Sequence, residues 1–223
     1  MTLLVTLNGR GIESMELTFP ADHFFALEAR LAGDLGVVPG GQVTVQIGNN
    51  LTFNVDVEKF GSVAADRWNL CSFAPGSFQL RQNCTPTYLV NPTASAILSA
   101  AKVANYTFLQ GAPSLPSYGV ILPGTITWYQ ALRRYLGDNM RILYDGTLEI
   151  GVRAPQNNTG VFQVQDYNAQ NNLMTLGIGD DFMILPSDIL FGAVVLSVKY
   201  EYSADEMRAV CEMASPPTYV GSF

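Results

Sequence analysis

The stretch Gln42 to Val57 constrains the fold more than any other part of this chain. It reads Gln-Val-Thr-Val-Gln-Ile, then Gly48-Asn-Asn, then Leu-Thr-Phe-Asn-Val-Asp-Val. The valines, Ile47 and Phe53 fall at every second position, the period at which a strand turns one face to a core and the other to water. The Gly-Asn-Asn triplet between the two runs is a turn signal, so the segment predicts an antiparallel hairpin.

Other segments follow the same logic. Leu3 to Leu7 predicts a strand stopped by the Asn8-Gly9 turn, and Glu13 to Phe19 alternates as its hairpin partner would. After Pro20, Asp22 offers a cap, Phe24, Leu27 and Leu31 are spaced three or four apart, and Gly33 offers a stop; this predicts a short helix to Ala32. Lys59 to Tyr88 holds Trp68, Phe73, Phe78 and Leu80 among turn residues, which suggests further short strands of weak period.

The texture changes after Asn91-Pro92. Thr93 to Ala104 is a run of helix formers with Thr93 as its cap. A Pro- and Gly-punctuated link, Gly111 to Gly124, leads to a second helix over Thr127 to Leu136. Its Trp128, Leu132 and Tyr135 or Leu136 form one apolar stripe, and Gly137 ends it. Arg141 to Tyr144, Asp145-Gly146 and Thr147 to Ile150 predict a tight hairpin.

β-type pattern then returns in Gly160 to Tyr167, Leu173 to Ile178, Asp181 to Leu185 and Ile189 to Tyr202, the last with Val194, Leu196, Val198 and Tyr200 on one face. Asp205 to Met213 reads as strand or short helix, and Pro216-Pro217 opens a tail expected to be extended. The expected fold class is mainly β with an inserted small α+β unit: a first β domain over 1–90, a helix-helix-hairpin insert over 91–151, and a second β region over 152–223 with the tail.

Composition excludes several functions. Of 223 residues, 48% are hydrophobic and 14% charged, too apolar for a disordered chain. A net charge of -7 opposes tight gripping of a phosphate backbone, which needs clustered Lys and Arg. The N-terminus lacks the pattern of a secretory signal, and runs such as Phe191 to Val198 are too short to span a membrane, so the chain is expected to be soluble. Cys71, Cys84 and Cys211 contain no Cys-x-x-Cys pair, and the single histidine, His23, is near none of them, so neither a metal nor a cofactor is expected. A Cys71–Cys84 bridge stays open at this stage.

Catalytic constellations are equally thin. His23 lies beside Phe24 and Phe25 on a predicted amphipathic helix, without a nucleophile and acid in view. Asp180-Asp181, flanked by Gly179, and Asp34 read as solvated turn residues. Gly177-Ile-Gly179 and Gly40-Gly41 lack the lysine of a phosphate loop. Arg133-Arg134 reads as a solvated helix face or a salt bridge. No enzyme is expected, and no residue is assigned a catalytic role.

The order of three pieces does resemble a known family. Thr93-Ala-x-x-Ile-Leu-x-x-Ala is followed by Thr127-Trp128-x-x-x-Leu132-x-x-Tyr135-Leu136 and then by Asp145-Gly146-x-Leu148-x-Ile150. This is similar to the hub proteins of phage tail baseplates and related injection machines, the family that includes the Mu-type baseplate hub. In that family a helix precedes a Trp-bearing helix and a hairpin ending in Asp-Gly-x-Leu. The late run from Phe191 and Gly192 through alternating valines to Tyr202 also resembles a strand of that family.

The resemblance implies tube-like β-barrel domains, two per subunit, in a homotrimer. Its pseudo-sixfold ring would join a sixfold tail tube or distal-tail ring protein to a threefold spike or tail-tip protein in the virion, with DNA passing through the lumen without specific binding. The hubs that hold an iron-sulfur cluster use four cysteines, a pattern absent here. The Pro216 to Phe223 tail is expected to dock on an adjacent subunit, with Pro216 and Pro217 lowering its ordering entropy and Tyr219 and Phe223 as anchors. Two alternatives stand beside the hub: a sixfold tail tube or distal-tail ring component, which the 93–151 insert disfavours, and a carbohydrate-binding β module.

Overall fold

A computed structural model of the chain describes residues 4–20, 24–49, 51–64, 66–115, 118–160, 162–178, 183–203 and 206–218. The first part is β: β1 (Val5–Leu7), β2 (Arg10–Gly11), β3 (Ser14–Phe19), β4 (Ala26–Ala32), β5 (Gln42–Ile47), β6 (Leu51–Ala64) and β7 (Arg67–Phe73). The middle mixes α1 (Ser77–Arg81), β8 (Thr87–Leu89), α2 (Ala94–Ala100), β9 (Tyr106–Phe108), β10 (Val120–Leu122), α3 (Trp128–Leu136), β11 (Met140–Ile142) and β12 (Leu148–Ile150). The last part returns to β13 (Gln156–Asn157), β14 (Gln163–Asn168), β15 (Leu173–Gly177), β16 (Asp188–Leu190), β17 (Ala193–Ser203) and β18 (Glu206–Met213). The fold is mainly β.

One 13-stranded sheet runs β14-β15-β18-β17-β3-β4-β7-β6-β5-β1-β2, with β16 joined to β17 and β13 to β16. The first and last parts of the chain meet where β17 lies antiparallel to β3, Val198 opposite Phe19 and Tyr202 opposite Met15. The expected hairpin is present as β5 and β6, with Val45 opposite Phe53 across the Gly48 turn. The core at the β17–β3 seam is aromatic. Phe25 lies 4.8 Å from Phe19 and 5.9 Å from Phe53, and Phe19 meets Tyr200 edge-on at 6.1 Å.

Tyr200 is fully buried, and its hydroxyl finds the hydrogen bonds that burial demands: it donates to the Ile184 carbonyl at 2.7 Å and accepts from the Ile184 amide. Burial pushes its phenol well above the ordinary range.

Five expectations are corrected. The predicted helix to Ala32 is strand β4 from Ala26 onward; Leu27, Ala29 and Leu31 are buried at every second position, and Glu28 and Arg30 face out. The cap assigned to Asp22, and His23, lie outside the described residues. Phe78 and Leu80 stand on the one-turn helix α1 rather than a strand, because the Asp56 carboxylate accepts the Phe78 amide at 3.1 Å at the start of that turn. Met183 to Leu185 is not a strand: the Leu185 amide donates to the Asp188 carboxylate, and Ile184 is taken up by Tyr200.

The run Ile189 to Tyr202 is split by a Phe191-Gly192 turn. A bulge between Val195 and Ser197 then shifts its buried face to Val195, Val198, Tyr200 and Tyr202, leaving Leu196 exposed. Finally, α2 ends at Ala100, four residues early. Lys102 takes a left-handed conformation, its amide bonds the Ser99 carbonyl, and the Val103 amide bonds the Leu98 carbonyl, a complete Schellman stop without a glycine. The open reading of 205–213 resolves as strand β18.

Candidate functional site

The residues that carried the resemblance hold local structure. The Thr93 hydroxyl accepts the Ala96 amide at 3.2 Å and caps α2. Thr127 and Gln130 form a reciprocal capping box: the hydroxyl accepts the Gln130 amide at 3.2 Å, and the Gln130 side-chain oxygen accepts the Thr127 amide at 2.9 Å. Trp128 and Leu132 are buried with Ala131 and Leu136. The start of α3 is stitched to the end of the first β region, since the Trp128 amide bonds the Gln82 carbonyl and the Cys84 amide bonds the Ile126 carbonyl.

In the hairpin β11–β12, Met140 faces Ile150 and Ile142 faces Leu148. The Asp145 carboxylate accepts the Thr147 amide at 2.9 Å across the turn. Asp145, Gly146 and Leu148 come together on one cleft of about 280 Å³ with Pro75, Leu80 and Val103. Two features of this unit left little local trace. Strand β12 pairs in parallel with β9, and Arg141 forms a buried ion pair with Glu149 at 2.7 Å while donating to the Pro186 carbonyl at 2.9 Å. That arginine ties the insert to the second β region, and its only sequence signal is the Arg141 and Glu149 register across a hairpin.

Gly192 lies apart from this group. With Phe191 it makes a two-residue turn, φ 50° and 80°, between β16 and β17, the type I′ geometry that suits a hairpin. Thr218 folds onto it: its amide and its hydroxyl both donate to the Phe191 carbonyl at 2.8 Å, and a Cβ on Gly192 would stand 2.2 Å from that hydroxyl oxygen. The start of the tail, Pro216-Pro217-Thr218, is thus laid on its own chain. Tyr219 and Phe223 lie outside the described residues.

The outward face of the sheet at the β17–β3 seam is polar. Arg208, Glu201, Glu16, Glu28 and Cys71 occupy successive paired positions on β18, β17, β3, β4 and β7, and all of these but Arg208 line a groove of about 350 Å³. Lys199 bonds Glu16 at 3.2 Å and Glu201 at 2.8 Å, and Arg208 bonds Glu201 at 2.6 Å. The hydrogen bond from Lys199, helped by Arg208 and opposed by burial, holds the Glu201 carboxyl below its ordinary range, and the same contact holds the Lys199 ammonium above its own.

The three cysteines are free thiols, so Cys71 and Cys84 are not bridged. Burial raises all three, Cys211 to about 12, with Asp188 adding to it; none is poised as a nucleophile at neutral pH. Among the described residues no cluster of three or more His, Cys, Asp and Glu side chains is arranged to hold a metal, and no helix is long and apolar enough to cross a membrane. Arg133 pairs with Asp138 at 3.1 Å. Asp180 and Asp181 lie outside the described residues.

A chain of this shape, one long antiparallel sheet carrying a capped two-helix unit and a hairpin, has the fold of phage and phage-like tail proteins. The 43 kDa tail protein of prophage MuSo2 from Shewanella oneidensis superposes with a TM-score of 0.68 at 11% identity, over 96% of this chain and 97% of that one. A tail protein from Neisseria meningitidis gives 0.65 at 10% identity, over 96% of each chain. The E. coli c3393 protein is described as a component of the type VI secretion system with structural similarity to the T4 tail proteins gp27 and gp5. It gives 0.63 at 10% identity, over 98% of this chain and 79% of that one. The hub-family resemblance drawn from the order of pieces in 93–151 agrees with these neighbours. No protein-family model and no curated protein match the chain.

Proposed function

We propose that this chain is a structural hub of a tail or tail-like machine: three copies form a ring that adapts a sixfold tail tube or distal-tail ring to a threefold spike or tail tip. The observation that carries the reading is the β17–β3 seam. It sets strands β1 to β7 of the first part beside β14, β15, β17 and β18 of the last part in one sheet, and the middle part is tied to both, β8 pairing with β10 and Arg141 donating to the Pro186 carbonyl. Two β regions per chain, taken three times, make the six positions that a sixfold tube requires at its end. The fold shared with tail proteins supports the same role.

The ion-paired face along the seam is the surface proposed to line the bore. Its Lys199 and Arg208 are engaged by Glu16 and Glu201, so these two cations are ion-paired within the face. DNA would pass such a surface without being gripped. The role is structural rather than catalytic, and the protein would be found in the assembled tail.

The test is the mass of the native assembly, alone and with candidate tube and spike proteins. A trimer that binds one neighbour at each end is the expected result. A hexameric ring would favour the tube or distal-tail component, and a monomer that ignores every neighbour would return a binding module to the front.

A further inference from the structure

The β8–β10 ribbon is apolar on both sides. Its inner side is covered: Val120 and Leu122 are buried, and the Tyr135 hydroxyl of α3 donates to the Ile121 carbonyl at 3.2 Å. On the outer side Tyr88 stands directly opposite Ile121, and these two are 63% and 66% exposed. Val90 and Tyr118, which flank them in sequence, are 69% and 74% exposed.

The Tyr88 ring crosses the ribbon over Gly119 and occupies the space a Cβ would take there, with the tyrosine oxygen 2.1 Å from that position. Water-facing strands alternate apolar with polar residues, as β4 does with Glu28 and Arg30. The runs Tyr88-Leu-Val90 and Val120-Ile-Leu122 do not alternate, which is the pattern of strands covered on both faces.

We infer that the outer face of this ribbon is the docking surface for a second copy of the chain, an inference that rests on the reading of the protein as a ring-forming tail component. Charge selects the copy. The chain carries -7, so two copies repel wherever carboxylates face each other. The cleft beside the ribbon, lined by Tyr118, Ile121, Pro123, Arg134 and Tyr135, contains no carboxylate. Arg134 is exposed, with its guanidinium 5.8 Å from the centre of the Tyr135 ring. The patch therefore offers an acidic neighbour a cation within an aromatic surround, the residue types that dominate binding energy at interfaces. In a ring the contact is head-to-tail, with the ribbon of one copy meeting a different, acidic surface of the next.

The experiment compares the native mass of the full chain with that of a Tyr88→Ser, Ile121→Thr double variant and of Arg134→Glu, with Val152→Thr as an exposed apolar control outside the ribbon. The expected result is an oligomeric wild type and control, a double variant that falls to monomer at the same concentration, and self-association weakened at least about tenfold for Arg134→Glu. Circular dichroism and melting temperature should be unchanged. Wild-type mass in the double variant would overturn the inference, as would a wild type that is monomeric at every concentration. A wild-type hexamer that the double variant breaks would uphold the ribbon contact while refuting the trimeric hub, so the two readings fail separately. Should the double variant misfold, hydrogen exchange of the wild type decides: amides of β8 and β10 must gain protection as concentration rises, and unchanged protection overturns the proposal.

Discussion

Strand β4 and helix α3 draw on almost the same alphabet. The first is Ala-Leu-Glu-Ala-Arg-Leu-Ala and the second Trp-Tyr-Gln-Ala-Leu-Arg-Arg-Tyr-Leu. By intrinsic propensity β4 is the better helix, since every one of its residues ranks among the strongest helix formers. It is nonetheless the middle strand of the sheet path, between β3 and β7. Helix propensities differ by at most about 0.7 kcal/mol per ordinary residue, whereas each buried leucine gains roughly 1.5–3 kcal/mol. With Leu27 and Leu31 two positions from Ala29 in a core open on one side, extended backbone buries all three and satisfies both ladders. Helix α3 packs its apolar stripe on one side only and closes its ends mostly with local groups, the capping box and Gly137, with the Gln82 carbonyl taking the Trp128 amide.

The comparison can be broken most forcefully in the cores. Leu27→Ala or Leu31→Ala should cost about 2–5 kcal/mol, and Leu132→Ala in α3 a similar amount, read from urea midpoints. A loss under 1 kcal/mol at either leucine of β4 would mean that the strand is not held by burial. Next comes the bond between insert and sheet. Glu149→Gln leaves the Arg141 guanidinium buried without its counter-charge and should cost about 3–5 kcal/mol, measured by the same titration.

Smaller changes sharpen the contrast. Thr127→Ala removes half of the capping box and should lower stability by about 1 kcal/mol, seen as a fall in melting temperature. Glu28→Thr lowers helix propensity on the outward face of β4, yet stability should move by no more than about 0.5 kcal/mol; a larger loss would show that β4 depends on its helix formers.

The smallest effect is electrostatic. Because Glu201 is held below its ordinary 4.5, its contribution is complete above that value and is lost as pH falls through the lower, folded one. Glu201→Gln should remove this small contribution at neutral pH and flatten the acid limb of the stability curve, so that variant and wild type converge at low pH, checked by melting at a series of pH values from neutral to acid.

The same contrast explains what could be read from residues in order. The hairpin of 42–57, the helix cap at Thr93, the Asp145-Gly146 turn and the buried stripe of α3 were legible because each depends on neighbours within a few positions, whereas Thr127, read as the first residue of its helix, is the cap of α3. The helix expected over 22–32 was misread because Phe24, Leu27 and Leu31 fit a helical period as well as Leu27, Ala29 and Leu31 fit a strand. The end of α2 was missed because Lys102, not glycine, takes the left-handed turn. Of the surfaces, the outer side of β8 and β10 left its trace in two unbroken apolar runs, Tyr88 to Val90 just before Asn91-Pro92 and Val120 to Leu122 within the Pro- and Gly-punctuated link.

Local spacing therefore decides the turns, the Thr93 cap and the hairpin of 42–57, since backbone and side-chain geometry within a few residues set them. Only the tertiary structure decides that β17 lies on β3, with Lys199 reaching Glu16 across 183 positions. The same holds for Arg141 reaching Pro186, and for the seam that gathers the polar groove. Such pairings are chosen by which apolar faces can be buried together, a property of the whole chain that no short window of residues contains.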